Sequence, residues 1–296
     1  MTEAPSRFEE LAVPEAVKQT LLSTSTSVDP PHLLITGPAG VGKTACWRLF
    51  ARQILGPGWK STTHILQARD LARQRGAMAT FEEFLRPSGS EKDTLAGRTS
   101  LDAFDRGISI SDSEEVAPAG SEGEVKIGTI PISRLIVIED ADYLRHIRQA
   151  YLRRMMETVG AASRFVLIAR APSRIIDALR SRSQMIRIPS TGREIITTTL
   201  SEIAERNGCE PADGVLADIA YISDGNLKKA IFTLEMLDIR DLVSDRSSVH
   251  KMVQASTLQA GRRLVELAIR GKVVAVSYTH LRAHETDSLS RMPSSA

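Results

Sequence analysis

No apolar run in this chain approaches the roughly 20 residues that a membrane-spanning helix requires. The opening Met1-Thr-Glu-Ala-Pro5 also lacks the basic-then-apolar pattern of a secretory signal. The expectation is a cytoplasmic protein that makes no membrane contact. Cysteine is nearly missing. Cys46 and Cys209 are the two present, and they lie too far apart for metal-ligand spacing. Neither a disulfide framework nor a zinc site is expected, and both thiols are expected to be buried. Charge of one sign is missing too: 38 Lys and Arg against 36 Asp and Glu leave a net +2. That balance gives no global field for nucleic acid, so any such contact must come from a local basic surface. What remains is an ordinary mixture, 42% hydrophobic and 25% charged over 296 residues, enough for about two domains and a sizeable core.

Short apolar runs at 32–36, 64–67, 135–139, 164–169 and 185–188 read as strands, with helical patterns between several of them. This alternation predicts an α/β fold, a parallel sheet with helices on both faces. From Arg86 to Pro131 the pattern lapses into Pro-Ser-Gly-Ser, Asp-Ser-Glu-Glu and Pro-Ala-Gly-Ser-Glu-Gly-Glu, which reads as a mobile surface insertion over 86–131. After Pro189 the strands stop. Helices are expected from Arg193 to Asn207, ended by Gly208, from Pro211 to Ile222, and from Leu227 to Leu237. Another begins near Ser247. The stretch from Val276 through Ser277-Tyr-Thr-His-Leu-Arg-Ala-His-Glu-Thr286 to Ala296 resembles translated sequencing-adapter sequence and is read as non-native. His280 and His284 have the spacing of a helical metal pair, but no third ligand accompanies them.

The chemistry begins at Gly37-Pro38-Ala39-Gly40-Val41-Gly42-Lys43-Thr44, between the run His32–Thr36 and the helical stretch Ala45–Leu55. A strand that delivers a glycine-rich turn into a helix N-terminus converges backbone N–H groups on a phosphate. Lys43 would neutralise the β- and γ-phosphates of ATP, and the Thr44 hydroxyl would ligate Mg2+. A second strand, Leu135–Ile138, ends in Glu139-Asp140-Ala141-Asp142. Acids at that place stand beside the phosphate loop, where one can hold the magnesium shell and another can polarise water.

With these two motifs in place, the chain resembles the small subunits of replication factor C, clamp loaders among the AAA+ ATPases. Pro31-His-Leu-Leu34, Leu152-Arg-Arg-Met-Met-Glu157, Ser173-Arg-Ile-Ile176, Ser181-Arg182 and Gly225-Asn-Leu-Lys-Lys-Ala230 follow in family order from about Pro14 to Val243. The resemblance implies an AAA+ nucleotide-binding core over 1–189, a helical lid over 190–243 and the start of a truncated helical collar over 244–275, with 276–296 as the non-native tail. It implies an ATPase subunit whose partners are other clamp-loader subunits, a sliding clamp and primed DNA. Arg182 corresponds to an arginine finger acting on a neighbouring subunit's ATP. Lys228 occupies the lid's second sensor position, usually an arginine, and offers a point charge instead.

The chain departs from the family in places. Glu139-Asp140 inverts the usual Asp-Glu order, so the acid beside the water is one methylene shorter, and about 1 Å of misplacement can cost on the order of a hundredfold in rate. Arg170 replaces the polar first sensor, a cation that can bind the γ-phosphate without orienting water as an amide does. Ser183 replaces a cysteine, and the family's N-terminal Lys-Tyr-Arg-Pro segment is missing near Phe8 to Val13. Two rivals stay open at this point: an ATP-binding structural subunit that does not hydrolyse, and another DNA-remodelling AAA+ ATPase. Arg145, Arg148, Arg153 and Arg154 are the candidates for sequence-independent contact with DNA phosphates, with Glu157 as the competing partner of Arg153 or Arg154.

Overall fold

The computed structural model describes residues 4–85, 117–120, 132–158, 162–247 and 269. Five strands form one parallel sheet: β1 Leu33–Thr36, β2 Thr63–Gln67, β3 Arg134–Glu139, β4 Ser163–Ala169 and β5 Gln184–Arg187. Their order is β2-β3-β4-β1-β5. All five match the apolar runs of the sequence to within a residue or so; β1 to β4 are buried along nearly their whole length and read as hydrophobic stretches, whereas β5, at the sheet edge, buries Ile186 alone.

Alternation along each strand divides the core into two layers. Leu33, Ile35, Leu135, Val137, Val166 and Ile168 face helices α1, Glu15–Ser25, and α2, Lys43–Leu55. Leu34, Ile136, Ile138, Phe165 and Leu167 face the other way, towards α3, Ala77–Leu85, and α4, His146–Thr158. Helices α1 and α3 go beyond the sequence expectations. Pro14 supplies no side-chain cap to α1, whose start is marked only by Glu15 in its first turn, and α3 has no acidic residue in its first turn.

His32 fixes the entry to β1. Its Nδ1 accepts the Phe165 N–H at 3.1 Å, its carbonyl accepts the Gln184 N–H at 2.8 Å, and its ring meets Phe165 edge-on at 5.3 Å. Burial, with the Arg164 guanidinium nearby, lowers its pKa to about 4, so the imidazole is neutral. Arg164 is itself buried and held by Asp29 and the Pro30 carbonyl.

After β5 come α5 Arg193–Asn207, α6 Val215–Ser223 and α7 Leu227–Asp238, packed on one another through Ile196, Leu200, Ile203, Ile219, Leu234 and Leu237. α5 ends at left-handed Gly208, as expected. α6 starts four residues later than the sequence suggests. The Ala212 N–H donates to Val243, and Gly214 adopts a left-handed conformation, so Pro211–Gly214 forms a turn rather than a helical one. Arg246 closes this bundle with two bonds to Asp218, at 2.6 and 3.1 Å.

Within the segment expected as an insertion, residues 117–120 rest on the core. The Phe8 N–H donates to the Pro118 carbonyl, and the Ala119 N–H donates to Gln53 at 2.9 Å. The remainder of that segment lies outside the described residues, as do the adapter-like tail and all of the collar except 244–247 and 269. Cys46 is buried, and its thiol pKa is raised to about 12 by that burial. Cys209 is half-buried, contrary to expectation, because it follows the exposed end of α5. Among the described residues no helix is long and apolar enough to cross a membrane.

Candidate functional site

Parallel strands bring their C-terminal ends to one edge of the sheet, and in open α/β sheets ligands bind there. The loop 37–42 follows β1, Glu139 closes β3 with Asp140 and Asp142 just beyond it, and Arg170 follows β4. The order β3-β4-β1 therefore sets the acids two strands from the loop, with Arg170 between them.

The loop is shaped by close backbone approach. The Gly37 N–H continues the ladder to the Ala169 carbonyl at 3.3 Å, and a Cβ on Gly37 would collide with the Ile188 carbonyl. Gly42 is left-handed and offers α2 no side-chain cap, so no side chain of the capping residue competes for the helix's first N–H groups. Thr44 is exposed in the first turn of α2. The Lys43 ammonium donates to the carbonyls of Gly37, at 2.6 Å, and Pro38. Burial, and then the charge of Arg170, lowers its pKa to about 8, while Asp140 and Asp142 push the other way. A partly buried lysine under that pressure suits an anion, which would relieve it.

At the strand end, Glu139 is held from two sides. The Trp47 indole N–H donates to Oε1 at 3.2 Å, and the Gln67 amide donates to Oε2. Asp140 has a left-handed backbone with φ 52°, and its carboxylate lies 3.6 Å from Arg69 Nε. Arg69 in turn donates to the Tyr143 hydroxyl at 2.9 Å and stacks over its ring at 4.7 Å. Asp142 is 9% exposed and accepts the Arg170 N–H at 3.4 Å. Sequence reasoning passed over Asp142 as a site residue; its spacing two after Asp140, across a turn, was the available signal. Among the described residues no group of three or more His, Cys, Asp or Glu side chains is arranged to hold a metal alone. Of the two residues expected at a magnesium ion, Thr44 is exposed in the first turn of α2 and Glu139 is held at the end of β3.

The helical bundle touches the loop directly. Asn226 caps α7 by accepting the Lys229 N–H at 3.0 Å, and the Lys228 N–H donates to the Gly40 carbonyl at 3.0 Å. A Cβ on Gly40, where φ is +75°, would overlap the Asn226 side chain. Lys228 thus reaches the loop through its backbone, and its side chain is exposed.

Arg182 is exposed and far along the chain from the loop. It pairs with Glu157 at 2.6 Å and donates to the Ala178 carbonyl at 2.9 Å. Glu157 also sits 3.7 Å from Arg153. Arg145 and Arg154 are exposed as a phosphate-contacting role requires, whereas Arg148 is 9% exposed, with no hydrogen-bond partner at Nη1 among the described residues. Its burial corrects the expectation that it presents itself to DNA.

No family model matches the chain. Curated proteins do. A replication factor C small subunit of Methanoculleus marisnigri is 26% identical over 283 residues, covering 94% of this chain and 76% of that protein. Replication factor C small subunit 1 of Pyrobaculum islandicum is 28% identical over 267 residues, covering 90% and 70%. Replication factor C subunit 5 of Schizosaccharomyces pombe reaches 32% over 240 residues, covering 78% and 62%. Among solved structures, the Thermotoga maritima RuvB Holliday junction branch migration motor superposes with a TM-score of 0.56 at 16% identity, covering 85% of this chain and 72% of that one. At that identity the likeness concerns the fold. This chain is thus similar in sequence to replication factor C small subunits, and its five-stranded sheet with flanking helices has the AAA+ ATPase fold.

Proposed function

We propose that this chain is a small subunit of a clamp loader that uses ATP to place a sliding clamp on primed DNA. The observation that carries the proposal is the meeting of the loop 37–44, the acids 139–142 and the lid residue Lys228 at one sheet edge, in a chain whose relatives are replication factor C small subunits. The AAA+ family binds nucleotide with magnesium in general. Here the loop from Gly37 through Pro38, Ala39, Gly40, Val41 and Gly42 wraps the phosphates with its backbone, and Lys43 places its ammonium against the β- and γ-oxygens. Thr44 and Glu139 hold the magnesium shell, and the ion supplies charge neutralisation on the phosphates. Asp140 takes the water-polarising place and Arg170 lies against the γ-phosphate. The domain limits 1–189 for the core and 190–243 for the lid are part of the same proposal.

Arg182 acts on the site of a neighbouring subunit. Its pair with Glu157 is half-exposed, and exposed pairs contribute about 0–1 kcal/mol, so a neighbouring phosphoryl group can draw it away. Arg145 and Arg154, exposed and outside the Glu157 pairing, make the phosphate contacts to DNA. The test is a loader reconstituted with its partner subunits. Arg182→Ala should leave ATP bound at this chain's own loop while DNA-stimulated turnover falls at least tenfold, and lysine should rescue poorly because it lacks the planar fork. Unchanged turnover, or an unfolded chain, would refute the role in trans.

A further inference from the structure

The Trp47 indole has no part in the function described so far, yet its one polar atom points at a residue that does. Trp47 is 1% exposed and lies one helical turn after Lys43, three residues after Thr44, on the helix that the phosphate loop launches. A buried indole needs a partner for its N–H. Here that partner is the Glu139 carboxylate at 3.2 Å, at the end of a strand 92 residues away in sequence. The opposite oxygen of the same carboxylate accepts from Gln67, which sits beside Glu139 in the β2–β3 register. A glutamate carries one more rotatable bond than an aspartate, so an unsupported Glu139 would sweep a wider volume. Two donors, one from α2 and one from β2, remove that freedom. Each carboxylate oxygen has a second lone pair, so both bonds can persist while the outer face of the group meets another ligand.

We propose that Trp47 is a positioning residue for the divalent cation: its indole N–H, opposed by Gln67, holds the Glu139 carboxylate where the ion's hydration shell meets it. This rests on the nucleotide-site reading given above. The arrangement is the familiar one in which an outer hydrogen-bond partner orients a metal-binding side chain, and losing such a partner costs about 10- to 100-fold in metal affinity.

The experiment uses the full chain with ATP and MgCl2. Trp47→Phe keeps an aromatic, though smaller, ring and removes the donor. Equilibrium dialysis of labelled ATP across a MgCl2 series should show the magnesium half-point rising about tenfold, with ATP affinity in EDTA unchanged. A half-point that does not move overturns the inference, as does an equal loss of affinity with and without magnesium, which would make Trp47 a core residue only. A second measurement decides the matter even if Trp47→Phe folds badly. In a Trp59→Phe chain, where Trp47 is the remaining tryptophan, its emission should shift on adding MgCl2 to the ATP complex and stay put when EDTA accompanies ATP. Silent emission overturns the inference. Absence of ATP binding in the unaltered chain would instead sink the nucleotide-site reading and this inference with it.

Discussion

The phosphate loop and the acidic strand end face each other across one strand, and they are built by different means. The loop is a backbone object. Its shape comes from glycines that permit left-handed turns and close approach, at Gly37 against Ile188 and at Gly40 against Asn226. The strand end is a side-chain object. Glu139 and Asp140 carry similar groups on adjacent residues, yet the first is held by neutral donors, Trp47 and Gln67, and the second lies beside a cation, Arg69. Local sequence determines the first region, and tertiary neighbours determine the second.

The harshest break of this contrast is Lys43→Ala. It removes the loop's own ammonium and should lower ATP affinity at least a hundredfold in equilibrium dialysis, with the fold intact by circular dichroism. Next in size is Gly40→Ala. A methyl there collides with Asn226 and holds a non-glycine residue left-handed, a backbone cost of about 1–3 kcal/mol. Affinity for ATP should fall about tenfold, and the melting temperature should fall as well. If Gly40→Ala proves neutral in calorimetry, the loop is less constrained by its backbone than described.

Arg170→Asn sharpens the comparison, because it alters the loop from the acidic side. The free Lys43 has its pKa lowered to about 8, so its charged form prevails below that pH and is lost above it. ATP affinity should therefore decline as pH rises through 8, by up to about tenfold per unit. Burial is the larger cause of the depression and Arg170 the second, so Arg170→Asn should move the decline to higher pH and weaken binding severalfold at pH 7. Titration of labelled ATP at pH 6.5 to 9.5 reads both effects. An unmoved midpoint would show that the two cations do not sense one another.

The smallest effect lies away from both regions. His32 is neutral in the folded chain with a pKa of about 4, whereas an unfolded histidine titrates near 6.5. Between those values the unfolded chain binds the extra proton. The stability contributed by His32 is complete above about pH 6.5 and is lost as pH falls towards 4. His32→Asn keeps an acceptor for the Phe165 N–H and should flatten that dependence by a few °C in melting temperature, without altering ATP affinity at pH 7.

Legibility in the sequence follows the same division. Strands β1 to β4 are visible because each is a largely apolar run covered on both faces, β5 is visible from the short run 185–188 although it is mostly exposed, and the loop is visible because glycine, lysine and threonine stand at fixed spacing. The last helical segments are visible from periodicity and from Gly208. What stays hidden depends on partners distant in the chain. Nothing local to Trp47 announces that its N–H will find Glu139, and Asp142 joins the site only because β3 and β4 are neighbours. The start of α6 is hidden for the same reason, since Ala212 is claimed by Val243, some thirty residues later. Arg148 looks like its exposed neighbours in sequence, and only the packing of α4 reveals that it is buried.

The cap of α7 on the loop has a mechanical consequence. Asn226 and Lys228 anchor one end of a 12-residue helix to Gly40. At 1.5 Å per residue that helix is a lever about 18 Å long, with its fulcrum on the Gly40 peptide of the loop. A turn of about 10° at the fulcrum displaces the far end, near Asp238, by about 3 Å, with the other two helices of the bundle carried along by their shared core. The amplification is geometric and asks nothing of the helix but stiffness, so a sub-ångström adjustment of the loop emerges on the outer surface as a movement large enough for an adjoining molecule to feel.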